Sequence, residues 1–209
     1  MRKIIMAVLF LSSFYTYAFA AVGCSLDDPD RDVKRLFPDS SGYKTTFITL
    51  KEIGGEALQK DVENKLGDKL DLVYENLDVG YAYYAVLKGK DTVGYIHGVN
   101  QKGKFGVLQL VVATDLQGKI LEFYYQKISS PESAKFRAKI FTDQLKDLSL
   151  ADFYKYDVSG KNTQDGAVSK IVDPTANSSE DFKATIRGIK KNLILLEEFL
   201  RVKASEGGK

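Results

Sequence analysis

The chain has 209 residues, 44% of them hydrophobic and 11% aromatic, with 30 Lys and Arg residues against 28 Asp and Glu residues. This composition excludes a disordered chain, and the length is that of one domain with a substantial core. The formal net charge of +2 falls to zero once Arg2 and Lys3 are removed, which leaves no basic field for nucleic acid.

The N-terminus predicts export. Arg2 and Lys3 follow Met1, and residues 4–22 carry no charged side chain, which is the layout of a signal peptide. The competing interpretation is a transmembrane anchor, but the polar residues that follow Leu11 weaken a full bilayer span. We therefore expect residues 1–23 to be a signal peptide and the protein to work in the periplasm or cell envelope.

Two processing signals overlap at the end of this segment. Residues 18–20 form a small-x-small cleavage site, whereas residues 21–24 resemble a bacterial lipobox that ends at Cys24. Cys24 is the only cysteine, so it cannot form an intramolecular disulfide. A soluble periplasmic protein and a membrane-associated lipoprotein, with lipid on Cys24, both remain open.

A single domain is predicted after the signal segment. Residues 24–29 are acidic and contain a proline, which indicates a tether, and the folded domain spans residues 30–203, followed by a flexible tail at 204–209. Asp30 is the predicted N-cap of a short helix that carries Val33, Leu36 and Phe37, and Pro38 ends this helix.

The first half of the domain has the residue pattern of a β-sheet. Strands are predicted at residues 43–50, 81–87, 92–99, 105–114 and 120–127. Glycines stand at the turn positions between the last four strands, so these strands should form an antiparallel meander. Between the first two strands, Leu58, Val62 and Leu66 recur every four residues and predict an amphipathic helix over 56–66.

The second half is helical. After Pro131, one helical face is predicted from Ala134, Phe136, Ile140, Phe141 and Leu145. The final helix has an apolar stripe with steps of three and four, at Phe182, Ile186, Ile189, Leu193, Leu196 and Leu200. Residues 159–165 are predicted to form a loop. The fold class expected is α+β, a twisted antiparallel β-sheet packed against helices, with a long C-terminal helix.

Most standard catalytic sites are excluded. One histidine and one cysteine cannot make a Cys/His zinc cluster, and neither common type of glycine-rich nucleotide loop is present. His97 is interpreted as a strand histidine that only forms hydrogen bonds. No catalytic residue and no metal ligand is assigned.

Several motifs from Gly94 onward occur in a recognisable order. They are Lys104-Phe105-Gly106 at the entry of a strand, an Asp-x-x-Gly-Lys-Ile turn at residues 115–120, and the corner Ser129-Ser130-Pro131-Glu132. This order resembles the FMN-binding domain of flavin-carrying subunits of sodium-pumping NADH:quinone reductase and related membrane electron-transfer complexes. In that family the corner usually reads Glu-Thr-Pro-Gly.

The resemblance implies a flavin site that involves a loop before the last helix. The family motif there is Ser-Gly-Ala-Thr-x-Ser-Ser, whose threonine can carry FMN through a phosphoester bond. Here Ala176 stands at the threonine position and has no hydroxyl. The resemblance therefore implies noncovalent FMN, held near Ser129, Ser130, Glu132, Thr175, Ala176, Asn177, Ser178 and Ser179.

The residues of this loop, taken without the family, leave two alternatives. Hydroxyls and free N-H groups at a helix start can bind phosphate. Alternatively, Ser178 and Asp181 form a capping box, and Glu180 with Asp181 complements the helix dipole while repelling a phosphate. Five tyrosines could stack on a flavin ring or simply pack in the sheet, namely Tyr83, Tyr84, Tyr95, Tyr124 and Tyr125.

The function expected from the resemblance is envelope electron transfer as an FMN-binding electron carrier or accessory subunit, with membrane or periplasmic redox proteins as partners. The alternative is a flavin-free binding or assembly module of an envelope redox complex. A third reading is a periplasmic small-ligand-binding protein that has no redox role.

Overall fold

A computed structural model describes residues 25–160 and 165–207 of the chain. The predicted signal peptide, Cys24 and residues 161–164 of the predicted loop lie outside these described residues, as do the last two residues of the predicted tail. The remainder of that tail, from residue 204, continues the last helix up to Gly207.

The centre of the fold is a five-stranded antiparallel sheet in the order β1-β2-β3-β4-β5. The strands are β1 (Gly42–Thr49), β2 (Gly80–Lys88), β3 (Asp91–Lys102), β4 (Val107–Thr114) and β5 (Ile120–Ile128). Gly89 and Gly118 adopt φ of 65° and 76° at the tight turns, a conformation that glycine reaches without strain. The predicted meander is confirmed, and β1 extends it at the β2 side.

Helices complete the α+β fold, which is confirmed. They are α1 (Pro29–Leu36), α2 (Leu50–Ile53), α3 (Gly55–Leu66), α4 (Ser133–Arg137), α5 (Lys139–Thr142), α6 (Leu150–Tyr154) and α7 (Ser179–Gly207), with 3₁₀ turns at Asp143–Leu145 and Val168–Lys170. One sheet face packs against α7, α3 and the short helices, and this is the main core. Every residue of α7 from Gly188 to Leu196 is buried, so the burial extends well beyond the predicted stripe.

The opposite sheet face is covered by α1 and the segment before it, which was predicted to be a tether. Leu26 is only 5% exposed and packs in a small core with Val33. Its N-H donates to the Tyr84 hydroxyl at 3.0 Å, and the N-H of Asp27 donates to Gln126 at 3.0 Å. The folded part of the chain therefore already includes Leu26, four residues before the predicted start at Asp30.

The helix predicted after Pro131 is also different in the structure. Ala138 is extended, with φ of −66° and ψ of 137°, and separates α4 from α5. Phe136 and Phe141 are buried as expected, whereas Ile140 is 84% exposed. The break at Ala138 rotates α5 relative to α4, so the five apolar residues do not share one continuous face.

Candidate functional site

The two predicted parts of the site meet through Glu132. This residue lies just before α4, in the corner that follows β5, and its carboxylate reaches the loop before α7. Its Oε1 accepts a hydrogen bond from the N-H of Ala176 at 3.2 Å, and its Oε2 accepts one from the N-H of Asn177 at 2.9 Å. The corner and the loop are thus joined by a side-chain carboxylate.

The Glu132 carboxylate is held in its ionised form. Lys135 Nζ donates to Oε1 at 2.8 Å, and this contact, followed by the loop N-H groups of Asn177 and Ala176, lowers the pKa of Glu132 to about 2. A carboxylate that accepts several hydrogen bonds favours its charged form in this way. The anion at this helix start is therefore the protein's own carboxylate.

Thr175 is engaged inside its own loop. Its N-H and its hydroxyl both donate to Asp173 Oδ1, at 2.8 and 2.6 Å. This local turn occupies the hydroxyl that was predicted to contact phosphate. Ala176 and Asn177 are exposed, and each contributes its backbone N-H to Glu132.

The predicted capping box at the start of α7 does not form. Ser178 is buried, and its hydroxyl helps to hold the pKa of Glu132 low instead of capping the helix. The carboxylate of Asp181 instead reaches the β3-β4 turn, where Oδ1 accepts from the N-H of Lys104 at 2.7 Å. Glu180 pairs with Lys104 Nζ at 2.8 Å. The helix start is consequently anchored to the sheet by two acidic side chains.

The serines of the corner serve local packing. Ser130 is buried, and its Oγ accepts from the N-H of Glu132 at 3.4 Å. Ser129 is exposed and lies against Gly106, where an added Cβ would come 3.3 Å from Ser129 Oγ. Ser179 is the exposed first residue of α7. All eight predicted residues belong to the corner or the loop, and Glu132 takes up the N-H groups of Ala176 and Asn177.

The tyrosines proposed for flavin stacking do not converge on this corner. Tyr83 and Tyr125 lie in the main core, whereas Tyr84 and Tyr124 belong to the opposite sheet face. Tyr125 packs edge-on against Phe136 at a ring-centroid distance of 5.9 Å, and its hydroxyl lies 2.8 Å from Thr185 Oγ1. Sheet packing accounts for their placement.

Sequence reasoning missed a buried ionic cluster centred on Glu75. Arg187 and Lys191, four residues apart on α7, both hydrogen-bond its Oε1, and Arg187 Nη1 does so at 3.1 Å. Lys191 Nζ also donates to the carbonyl of Asn100 at 2.7 Å. Arg187 further contacts Asp68 Oδ2 at 2.7 Å, so the cluster ties the segment before β2 to α7.

Burial and ion pairing shift the pKa values of this cluster in opposite directions. Burial alone would raise the pKa of Glu75, but the charge of Lys191 and the hydrogen bonds from Arg187 hold that pKa below its ordinary value. For Lys191, burial lowers the pKa to about 8, with Glu75 acting against the shift. The side chain of Lys191 has no solvent exposure, so it cannot meet a substrate without opening the fold. We interpret the cluster as structural.

His97 confirms its interpretation as a strand histidine that forms hydrogen bonds. Its Nδ1 lies 3.0 Å from Asn192 Oδ1, and the Asn192 amide donates to the His97 carbonyl at 2.9 Å. Complete burial lowers the pKa of His97 to about 4, so the ring is neutral at pH 7. The ring contacts Phe199 edge-on at 5.5 Å, within the core.

No protein-family model and no curated protein matches the chain. Within residues 25–160 and 165–207, no three His, Cys, Asp or Glu side chains converge so that they could hold a metal ion. Among the helices of the same ranges, none combines the length and apolar character needed to cross a bilayer.

Proposed function

We propose that this chain is an exported, flavin-free binding or assembly module of an envelope redox complex. The observation that carries the flavin-free part is the contact of the Glu132 carboxylate with the N-H groups of Ala176 and Asn177. Export follows from the N-terminal sequence. The link to a redox complex rests on the resemblance of the second half of the chain to FMN-binding domains.

The contact of Glu132 opposes a phosphate at this loop for two reasons. First, the two N-H groups that would donate to a phosphate already donate to a carboxylate. Second, a phosphate at these N-H groups would lie against the Glu132 carboxylate, and like charges repel. Ala176 in addition has no hydroxyl for a phosphoester.

Noncovalent FMN binding is the second candidate. It is favoured by the meeting of the corner and the loop, since these are the two segments that the resemblance assigns to the flavin. Ser178 also places a buried hydroxyl beside Glu132 at this corner. In this alternative, Glu132 would have to leave the loop when FMN binds.

Absorbance and titration separate the two candidates. We expect protein purified from its native envelope to lack the visible bands of oxidised flavin, and added FMN to keep its free fluorescence. In Glu132→Ala the N-H groups of Ala176 and Asn177 become free, so inorganic phosphate should raise the melting temperature of this variant by more than that of the wild type.

The matched control for this experiment is Glu180→Ala. It removes a carboxylate at the same helix start but leaves Glu132 on the loop, so phosphate should affect it as it affects the wild type. Copurified flavin, or FMN binding of equal strength in the wild type and in Glu132→Ala, would overturn the flavin-free assignment.

Export is tested by the mass of the mature protein from the native host. We expect the chain to begin at Ala21 or at a lipidated Cys24. Because Leu26 is already buried, a lipid on Cys24 would hold the folded domain directly at the membrane. Cys24→Ser should then move the protein to the soluble fraction. A mature wild-type chain without the mass of a lipid, together with unchanged fractionation of Cys24→Ser, would exclude the lipoprotein. A mature chain that retains Met1 would exclude signal cleavage.

A further inference from the structure

The two edges of the sheet differ. The outer edge of β5 is closed by the segment that follows it: Ile120 donates to the carbonyl of Leu148 at 2.8 Å, and its own carbonyl accepts from Asp147 at 2.9 Å. Arg137 also donates to the carbonyl of Tyr125. These contacts protect β5 from pairing with a further strand.

The outer edge of β1 is open. Its eight residues pair with β2, from Gly42 opposite Leu87 to Thr49 opposite Gly80. Within the described ranges no other strand pairs with β1, and no backbone group of residues 42–48 bonds to backbone outside this ladder. A strand of this length with unpaired N-H and C=O groups is a template for one more strand.

A cleft opens beside this edge, on the sheet face that carries α7. We call it the edge cleft, and its volume is about 330 Å³. Its floor includes Ala85 and Leu87 of β2, and Leu200 of α7 forms one wall. Lys44 of β1 and Lys203 of α7 also line it, and both side chains are exposed. Neither lysine takes part in an ion pair with a described residue.

We propose that the open edge of β1 and the edge cleft bind an extended, acidic segment of a partner protein. The segment adds a strand to β1 through main-chain hydrogen bonds and places one apolar side chain in the cleft. Acidic side chains two positions before or after this residue lie on the same face and meet Lys44 and Lys203. This inference rests on the proposed function and names the chemistry of the partner.

The charges favour such a partner over a second copy of this chain. Two β1 strands paired antiparallel are related by a two-fold axis perpendicular to the sheet, so both edge clefts would lie on one face. Lys44 and Lys203 of both copies would then lie on that same face, on either side of the junction. Like charges in these positions destabilise the pair, whereas carboxylates complete it.

On the face opposite the edge cleft, the open edge exposes an apolar side chain. Phe47 of β1 projects from the face opposite the edge cleft, next to the fully buried Ala82 of β2, and is 67% exposed. An added strand would cover part of this ring with its alternate side chains. The partner segment therefore reads acidic, apolar and acidic on one face, with threonine or another β-branched residue between them.

The test uses blocked synthetic peptides as probes. The first has the sequence Thr-Glu-Thr-Leu-Thr-Glu-Thr, in which Glu, Leu and Glu share one face, and the second replaces both glutamates by lysine. We expect the first peptide, when labelled with a fluorophore, to gain fluorescence anisotropy on binding, to shift the amide resonances of β1, and to bind more weakly at high salt. The lysine peptide should not bind.

Variants of the two lysines decide the charge part of the proposal. The double variant Lys44→Glu with Lys203→Glu should bind the glutamate peptide at least tenfold more weakly and should gain binding of the lysine peptide. The control is Lys60→Glu with Lys170→Glu, which changes the net charge equally at exposed positions away from the edge cleft and should behave as wild type. Circular dichroism checks that each variant folds.

Ala85→Leu decides the cleft part. The larger side chain fills the floor of the edge cleft, so it should weaken binding of the leucine peptide at least tenfold. The affinity of a peptide that has alanine in place of the central leucine should not change. The proposal is overturned if neither charged peptide binds folded wild type at millimolar concentration. It is also overturned if Lys44→Glu with Lys203→Glu still prefers the glutamate peptide to the lysine peptide. A dimer that the peptide does not dissociate, seen by sedimentation, would overturn it as well. FMN added to the same samples reports separately on the flavin-free assignment.

Discussion

Replacing Lys191 by methionine should lower the free energy of unfolding by about 3–5 kcal/mol, the usual effect of removing one partner of a buried ion pair. The lysine side chain is fully buried against Glu75, and its removal leaves that carboxylate in the core with Arg187 as its remaining cation. Methionine fills the volume of the lysine stem, so the change isolates the charge. Urea unfolding, followed by circular dichroism, measures it.

Two further variants separate the pair from a general effect of charge. Glu75→Gln should cost a similar amount, and combining it with Lys191→Met should cost clearly less than both single changes added together, because no uncompensated lysine or glutamate remains. The surface control is Lys51→Met, which breaks a pair with Asp78 at 2.8 Å in which both side chains are about two-thirds exposed. This control should cost less than about 1 kcal/mol. If Lys191→Met lowers the free energy of unfolding no more than Lys51→Met does, the buried cluster stabilises the fold only as much as a surface ion pair.

The same cluster predicts the acid limb of the stability curve. The pKa of Glu75 is held below its ordinary value in the folded state, whereas the unfolded chain has a glutamate pKa of about 4.3. The resulting stabilisation is therefore present above about pH 4.3 and is lost as the pH falls through the lower, folded pKa. Urea midpoints at decreasing pH should fall more steeply for wild type than for Glu75→Gln.

The meander was predictable because its signals are local. Alternating apolar residues and turn glycines fix each strand within a few residues, and consecutive strands with short connections pair as neighbours. The largest errors in the strand boundaries lie at the turn of the β3-β4 hairpin. Phe105 was predicted to begin a strand, but it lies in the turn before β4 and is 45% exposed.

The errors at residues 24–29 and 132–145 have another cause. Leu26 is a single apolar residue in an acidic segment, and its burial depends on a pocket built by Val33 and the sheet, which local composition does not reveal. Around Ala138 the periodicity of apolar residues matches one helix, yet the helix breaks there, and Phe136 and Phe141 on either side of the break both pack into the core. Tertiary packing decided both segments.

The candidate site was predictable in its location and not in its contacts. The resemblance assigned the corner and the loop to one place, and Glu132 does join them. What occupies the N-H groups of the loop depends on a side chain 44 residues away from Ala176, and no sequence periodicity encodes such a contact. The cluster of Glu75, Arg187 and Lys191 left one weak signal in the sequence, two cations four residues apart on α7.

Gly94→Ala should lower the free energy of unfolding by about 2–3 kcal/mol, towards the upper end of the usual range for overpacking. An added Cβ would lie 2.5 Å from the carbonyl oxygen of Thr114 and 2.6 Å from the ring of Phe37. The carbonyl belongs to the neighbouring strand β4 and cannot move without disturbing the β3-β4 ladder, in which Tyr95 is paired with Thr114. The substitution therefore disturbs the sheet and the α1 cover together.

Gly80→Ala is the matched control, because Gly80 is also a strand glycine without a positive φ and an added Cβ there would meet no atom within 4 Å. Its expected effect is within about 0.5 kcal/mol, as for substitutions away from packed features. Urea unfolding compares both variants with wild type, and the amide resonances of α1 report whether Phe37 has been displaced. Equal stability of the two variants would mean that β4 and α1 can shift to admit a methyl group, and that the close approach at Gly94 does not constrain the fold.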